Sequence, residues 1–358
     1  MKETLQQGAG ESTRFEALCE WASEQLPAKD GAAAPVFTRL GGDAGHRRYF
    51  RLNTEPPLLA VDAPVEGESA THFAHLARYL RQHNIGAPAV VAVDEGEGYL
   101  LLEDLGDGLL ARLLNEETAP ALYGEALMTL LAIQQCPDDP ALLPRYDQSA
   151  LRGELNVFDQ WFATELLGVE LSEADWHLLH GTYERLEALA VEQPQVLVHR
   201  DYHSRNLLVG DNGTVGVIDF QDAVWGPITY DLVSLLRDCY VRWPEEQVTN
   251  WALSYGNLLI DVGLLPENID GETYLRWFDW MGLQRHIKVL GVFSRLHLRD
   301  GKSDYLSHLP LVIRYTLEVA ERHAELKPFA DWFRERVLPA AEAQPWYKDY
   351  RRAGDASQ

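Results

Sequence analysis

Residues 196–231 read VLVHRDYHSRNLLVGDNGTVGVIDFQDAVWGPITYD, and this stretch decides the fold. It opens with a short apolar strand that turns abruptly into a charged loop. Two further apolar runs, 207–209 and 215–218, are joined by Asp-Asn-Gly, which favours a β-hairpin because Asn and Gly accept the positive φ of such a turn. The pattern therefore predicts a charged loop, then a hairpin, with Asp219 at the far end of the hairpin.

The loop and the hairpin carry groups suited to phosphoryl transfer. Asp201 can accept the proton of an acceptor hydroxyl and is the predicted catalytic base. Asn206 and Asp219 offer an amide oxygen and a carboxylate, which suit Mg²⁺ bound to nucleotide phosphates. Arg200 and Asn206 complete the predicted catalytic set, with Arg200 expected to brace the loop.

The same stretch resembles a known family of enzymes. Residues 199–206 match H-R-D-x-x-x-x-N, the catalytic-loop pattern of the protein-kinase-like fold. Gln221 stands where the glycine of D-F-G would lie, which resembles the aminoglycoside phosphotransferase and choline kinase branch instead of the protein kinases. The wider sequence of residues 199–208 and 218–238 is most similar to the bacterial anomeric sugar kinases of cell-wall recycling. The resemblance also implies that Asp231, at the start of a helix, holds the backbone of the catalytic loop.

The resemblance covers roughly residues 35 to 345 and implies both a reaction and a fold. The reaction is ATP-dependent phosphorylation of the anomeric hydroxyl of N-acetylmuramate and N-acetylglucosamine, so the partner is a small amino sugar. The fold is α+β and protein-kinase-like, with an antiparallel β-sheet N-lobe and a mostly helical C-lobe. The predicted divisions are 1–34 for an N-terminal helix and linker, 35–104 for the nucleotide-binding N-lobe, and 105–350 for the C-lobe with the catalytic loop and sugar site.

The nucleotide site is predicted in the N-lobe. A glycine-bearing turn places Gly42 and Asp43 where backbone N–H groups can cover phosphates. The resemblance implies that the backbone at Glu103 and Leu105 binds adenine.

Asp62 departs from the family pattern, because it occupies the position of the phosphate-binding lysine. No lysine occurs between residues 30 and 244. Arg48 or Arg51 on the preceding strand is then the candidate for the phosphate contact, although side-chain alternation disfavours both pointing inward. A carboxylate at Asp62 would repel phosphate unless it holds an arginine or a metal.

Substrate contacts are predicted on the helical lobe and the catalytic loop. A sugar that carries a carboxylate would require an arginine, whereas an acetamido group would favour an aromatic face. Asp222 faces either the metal or the substrate. The candidates are Glu154, Asn156, Arg205 and Asp222, together with Phe158, Trp161, and the helix bearing Arg285 and His286.

Composition limits the class of protein. The net charge of −24 argues against sequence-independent binding to nucleic acid or to anionic membranes, and it favours either solubility or a cationic substrate. The N-terminus lacks a secretory pattern, and the three cysteines have no metal-ligand spacing. We therefore expect a cytoplasmic protein with free thiols, no membrane partner and no obligate protein partner.

Two alternatives remain open. The first is a kinase of the same fold with another acceptor, such as an aminoglycoside, choline or homoserine. The second is a pseudokinase-like nucleotide-binding regulator, which the missing lysine would favour. Release of ADP in the presence of Mg²⁺ and sugar distinguishes a kinase from a regulator.

Overall fold

The structure is a computed structural model that describes residues 2–27, 34–41, 47–63, 70–210 and 212–355, with side chains from residue 13 onward. The chain divides into two compact units. The first comprises residues 1–108 and 208–221, and the second comprises residues 109–207 and 222–358.

The strands and helices alternate near the N-terminus and give way to helices later in the chain. In chain order the strands are β1 (Phe37–Arg39), β2 (Arg48–Leu52), β3 (Leu58–Asp62), β4 (Val90–Asp94), β5 (Tyr99–Glu103), β6 (Gln195–Val198), β7 (Leu207–Val209), β8 (Val215–Val217) and β9 (Val224–Pro227). The α-helices are α1 (Lys2–Glu24), α2 (Ala70–Gln82), α3 (Leu110–Leu113), α4 (Ala119–Gln134), α5 (Gln148–Val157), α6 (Glu173–Glu192), α7 (Tyr230–Leu236), α8 (Glu245–Asp261), α9 (Gly271–Leu298), α10 (Leu309–Arg322), α11 (Lys327–Trp332) and α12 (Leu338–Glu342). Wider π-helical turns span Phe158–Leu166 and Phe333–Val337, and 3₁₀ turns span Ser303–His308, Ala324–Leu326 and Tyr350–Arg352.

The first unit is built on an antiparallel sheet of order β1-β2-β3-β5-β4. Because side chains alternate across a strand, one face presents Phe50, Ala60 and Leu101 to Leu18 and Ala22 of α1. Helix α2 packs against β4 and β5. The predicted antiparallel N-terminal sheet is confirmed.

The hairpin β7–β8 belongs to the first unit. Its Gly216 bridges to Gly86, and the N–H of Val209 donates to the carbonyl of Gly108 at 2.7 Å. A Cβ atom at Gly86 would lie 2.8 Å from the backbone carbonyl oxygen of Val215, so the close approach requires glycine at position 86. The predicted hairpin is confirmed, although Asp211 of its turn lies outside the described residues.

The second unit is mostly helical, as predicted. Helix α9, with 28 residues, contacts α5, α6, α7 and α10, and most of its side chains are buried. A Cβ atom at Gly291 would lie 2.5 Å from the carbonyl carbon of Val157, so α9 lies against the start of the first π-helical turn.

Two helices begin earlier than the sequence pattern indicates. Apolar residues at helical spacing predict a helix over residues 12–26, but α1 begins at Lys2, since residues 2–11 include good helix formers without an apolar period. The sequence also predicts a helix over residues 151–167, but α5 begins at Gln148, because Asp147 caps it by accepting from the N–H of Ala150. Strand β9 was not predicted, since its Gly and Pro are typical of turns.

Two sequence expectations can be compared with the described residues. All three cysteines are free thiols, as predicted. None of the helices in the described ranges is both long and apolar enough to cross a membrane.

Candidate active site

The charged loop between β6 and β7 is held by buried hydrogen bonds in the second unit. The Tyr202 hydroxyl donates to the carbonyl of Ala126 at 2.7 Å, and the N–H of Ser204 donates to Asp238 at 3.0 Å. The Asn206 amide donates to the carbonyl of Asp201 at 3.0 Å, across the five residues of the motif. These contacts fix the loop's conformation and point the amide nitrogen of Asn206 toward the loop's own backbone.

Asp231 holds the start of this loop. Its carboxylate accepts hydrogen bonds from the backbone N–H groups of His199 at 2.6 Å and of Arg200 at 3.0 Å. Complete burial raises the pKa of Asp231 to about 7, even though both hydrogen bonds favour the ionised form. The prediction that Asp231 supports the backbone of the catalytic loop is confirmed.

Arg200 has a left-handed backbone, with a φ of 73°. A residue with a side chain rarely adopts this region, and such strain persists only where surrounding contacts compensate for it. Here the two N–H bonds to Asp231 fix the backbone, and Glu154 accepts from the guanidinium. Arg200 therefore braces the loop, as expected.

Glu154 lies at the centre of a buried ion cluster. Besides Arg200, it pairs with the Nζ of Lys288 at 2.9 Å and accepts from the hydroxyl of Tyr146. Burial by itself would raise the pKa of Glu154, but Lys288 and Arg200 reverse the shift and lower it to about 2. Glu154 is therefore a carboxylate at neutral pH that neutralises two cations beside the loop.

Asp201 is surrounded by positive charge. Burial would raise the pKa of its carboxyl, but the charges of Lys288 and Arg285 hold that pKa below its usual range. Its own backbone N–H donates to Nδ1 of His199 at 3.2 Å. Asp201 is thus ionised at neutral pH and able to accept a hydrogen bond from a hydroxyl group.

Lys288 and Tyr146 were missed from the sequence. The usable signal was the mostly polar run 284–288, which lies between the largely apolar runs 277–283 and 289–293, since buried charges in such a run need partners. The sequence offered no comparable signal for Tyr146, which lies just before α5.

Asp219 lies in the first unit and also has a left-handed backbone, with a φ of 64°. The Gln221 amide donates to Oδ1 of Asp219 at 2.9 Å. Phe220 between them is buried and stacks on Phe73 of α2, with ring centroids 4.8 Å apart. Gln221, which replaces the glycine of D-F-G, therefore orients the Asp219 carboxylate.

The structure shows what Asp62 holds. Its carboxylate is fully buried and pairs with Nε of Arg14 at 2.7 Å and Nε of Arg48 at 3.0 Å. Asp62 thus holds two arginines, which meets the condition set by the sequence. Arg51 lies three positions after Arg48 on β2, so its side chain is on the opposite face of the sheet. There it pairs with Asp104 and Asp107.

The other predicted nucleotide contacts are only partly described. Gly42 and Asp43 lie outside the described residues. The Glu103 carboxylate accepts from Arg81 and from the N–H of Ala89, both at 3.0 Å. The side chain of Leu105 packs near Gly216. A nucleotide role for Arg48, Glu103 and Leu105 stays a prediction.

The predicted substrate residues lie in different surroundings within the second unit. Glu154 is committed to the ion cluster, whereas Asn156 is exposed on α5. Arg205 stacks over the ring of Tyr240, 3.6 Å from its centroid. Asp222 is half-buried, and its carbonyl lies 3.4 Å from Nη1 of Arg200. Their contacts with substrate stay predictions.

Comparison with known proteins identifies relatives over most of the chain. The model of a phosphotransferase enzyme family matches residues 36–267. An N-acetylmuramate/N-acetylglucosamine kinase of Neisseria meningitidis is 38% identical over 87% of this chain and 92% of its own length. A kinase of the same name from Pseudomonas putida is 36% identical over 90% of this chain and 96% of its own.

Solved structures agree on the fold. The choline kinase of Cryptosporidium parvum has a TM-score of 0.62 at 14% identity and covers 89% of this chain and 99% of its own. This likeness shows the protein-kinase-like fold alone, while the family match rests on sequence. The chain belongs to the phosphotransferase enzyme family.

Proposed function

We propose that this protein is an ATP-dependent kinase that phosphorylates the anomeric hydroxyl of N-acetylmuramate and N-acetylglucosamine. The observation that carries the proposal is that four relatives, 31–38% identical over 84–90% of this chain, share the name N-acetylmuramate/N-acetylglucosamine kinase. The braced loop around Asp201 supports it, since a family member without activity would not require this arrangement. We expect it to act in the cytoplasm, where the sugar 1-phosphates would feed cell-wall recycling.

In the proposed reaction the anomeric oxygen attacks the γ-phosphorus of ATP. The bond from that phosphorus to the β–γ bridging oxygen breaks, ADP leaves, and Asp201 takes the hydroxyl proton. Because the transition state is largely dissociative, orientation of the hydroxyl by Asp201 contributes more than its basicity. A low pKa for Asp201 is therefore compatible with this role.

The donor set fits Mg²⁺, which takes oxygen ligands. Asn206 and Asp219 would hold the ion: the Asn206 amide nitrogen donates to the backbone, which directs its oxygen the other way, and Gln221 orients the Asp219 carboxylate. When bound, Mg²⁺ neutralises charge on the nucleotide phosphates.

The test of the function is a substrate panel. Purified protein with ATP and Mg²⁺ is expected to release ADP with N-acetylmuramate and N-acetylglucosamine but not with kanamycin or choline. A phosphorus NMR spectrum should locate the product phosphate on the anomeric oxygen. Turnover with kanamycin or choline alone would support a kinase but contradict the proposed acceptor. No turnover with any of the four compounds would favour a nucleotide-binding regulator.

Gln221→Ala should weaken the metal site. Loss of a group that orients a metal ligand typically costs about 10–100-fold in metal affinity or activity. We expect the Mg²⁺ concentration for half-maximal rate to rise within that range, and calorimetry should show the same shift in the Mg²⁺ dependence of ATP binding.

Gln195→Ala is the matched control, because the Gln195 amide donates to the backbone carbonyls of Ala190 and Gln193 and not to a predicted metal ligand. It should leave the Mg²⁺ dependence unchanged. An unchanged Mg²⁺ dependence in Gln221→Ala, with only a lower melting temperature, would reduce Gln221 to a packing role.

A further inference from the structure

The second unit contains a cavity of about 470 Å³ between the start of α10 and the C-terminal segment. This volume is typical of small-molecule sites, which run from about 300 to 1,000 Å³. Its walls include Tyr240, His308, Lys348 and Arg352. The last two lie in a segment that the Arg314 guanidinium fixes by donating to the carbonyl of Ala353 at 2.8 Å.

The cavity lies next to the catalytic loop. The ring of His203, two residues after Asp201, meets the ring of Tyr240 edge-on with centroids 5.4 Å apart. On another side, Nη1 of Arg285 donates to Sγ of Cys239, which lines the cavity, at 3.4 Å. Arg285 is also one of the charges that act on Asp201. Side chains that line the cavity therefore contact groups at and beside the catalytic loop.

Positive charge collects at this cavity without matching carboxylates. Among the described residues of the second unit, Arg205, Lys348 and Arg352 make no ion pair within 4.0 Å. Arg205 instead stacks on Tyr240, and its Nη2 lies 3.4 Å from Nε2 of His308. Asp349 also lines the cavity, but its carboxylate pairs with Arg351 at 3.3 Å.

This concentration of cations contrasts with a chain whose net charge is −24. An anionic ligand approaching such a chain is repelled on average, so it requires a local region of opposite charge. Most arginines of this unit are neutralised, as Arg152 is by Glu187 and Arg242 by Glu318. The cavity therefore favours an anion.

We propose that this cavity binds the carboxylate of the acceptor sugar, with Arg352, Lys348 and Arg205 as the residues that distinguish an acidic from a neutral amino sugar. The inference rests on the proposed function. N-acetylmuramate differs from N-acetylglucosamine by a lactyl ether that ends in a carboxylate. Lys348 and Arg352 line the cavity and can donate charge-assisted hydrogen bonds to such a carboxylate.

The experiment compares the two sugars in one set of variants. Arg352→Gln and Lys348→Gln should each raise the KM for N-acetylmuramate by about 10- to 100-fold, the range typical of losing one charge-assisted hydrogen bond. The kcat/KM for N-acetylglucosamine should remain near the wild-type value. Raising the ionic strength should increase the KM of the wild type for the acidic sugar and leave that for the neutral one unchanged.

Lys327→Gln is the matched control, because it removes the same charge from an exposed pair with Asp331 that does not line the cavity. It should affect neither sugar. Melting temperatures check that each variant is folded, and calorimetric titration with each sugar gives a readout independent of turnover.

The outcomes separate the two proposals. Selective loss with N-acetylmuramate supports the cavity as the carboxylate site. Turnover of both sugars by the wild type, with equal losses or none in the two cavity variants, overturns this inference and leaves the proposed function intact. Failure of the wild type on both sugars overturns the proposed function, and this inference with it.

Discussion

Asp201→Asn should lower kcat by about 10²- to 10⁴-fold, the range typical of losing a positioned acid–base group. The amide has the same shape as the carboxylate but cannot take the hydroxyl proton, and it presents a donor where the hydroxyl needs an acceptor. The cations around Asp201 would also lose the charge that they stabilise. Steady-state kinetics with each amino sugar measure the effect, with the KM values expected to change far less than kcat.

Asp261→Asn is the control, since it makes the same chemical change at a side chain that is exposed at the end of α8. It should retain wild-type kinetics. A wild-type kcat in Asp201→Asn would contradict the assignment and show that another group orients the hydroxyl. Equal melting temperatures for the two variants would exclude a folding defect as the cause of a loss.

Among the variants considered, Glu154→Gln should cause the largest loss in the free energy of unfolding. Removing one partner of a buried ion pair typically costs about 3–5 kcal/mol, because the remaining charge stays buried without compensation. Here both Arg200 and Lys288 would lose their carboxylate. Denaturant unfolding should show the loss, and kcat should fall too, because Arg200 no longer holds the loop in its strained conformation.

The stability that Glu154 contributes to the wild type depends on pH, and the direction follows from its pKa. The pKa of Glu154 is about 2 in the folded protein against an ordinary value of 4.5, so the folded state favours the ionised form. The resulting stability is fully present above pH 4.5 and is lost as the pH falls from there toward 2. The difference in unfolding free energy between wild type and Glu154→Gln should therefore shrink across that window.

Glu187→Gln is the control for Glu154→Gln, because it tests whether a loss of stability by itself lowers kcat. Glu187 is also buried, and it pairs with Arg152 without contacting the catalytic loop. This variant should lose stability while its kcat at a permissive temperature remains unchanged. A similar loss of kcat in both variants would mean that general destabilisation, not the brace on Arg200, explains the result.

Several features followed from local sequence pattern. The turn chemistry of residues 210–213 was sufficient to predict the hairpin, and the spacing of residues 199–206 was sufficient to predict a phosphotransferase loop. These two predictions succeed because turns and short motifs depend on residues close together in the chain. The role of Asp231 as the support of that loop was predicted from the family resemblance, and its two hydrogen bonds confirm it.

Other features required the tertiary structure. Glu154 joins Arg200 and Lys288, which are 46 and 134 positions away along the chain, and the pairing depends on how α5 and α9 pack. The left-handed backbone of Arg200 likewise depends on Asp231, which is 31 positions away and accepts the N–H of Arg200. The cationic cavity is lined by Cys239 and Tyr240, by the start of α10, and by the C-terminal segment. Local pattern carries no information about such partners, since burial and charge compensation are decided only when remote segments pack together.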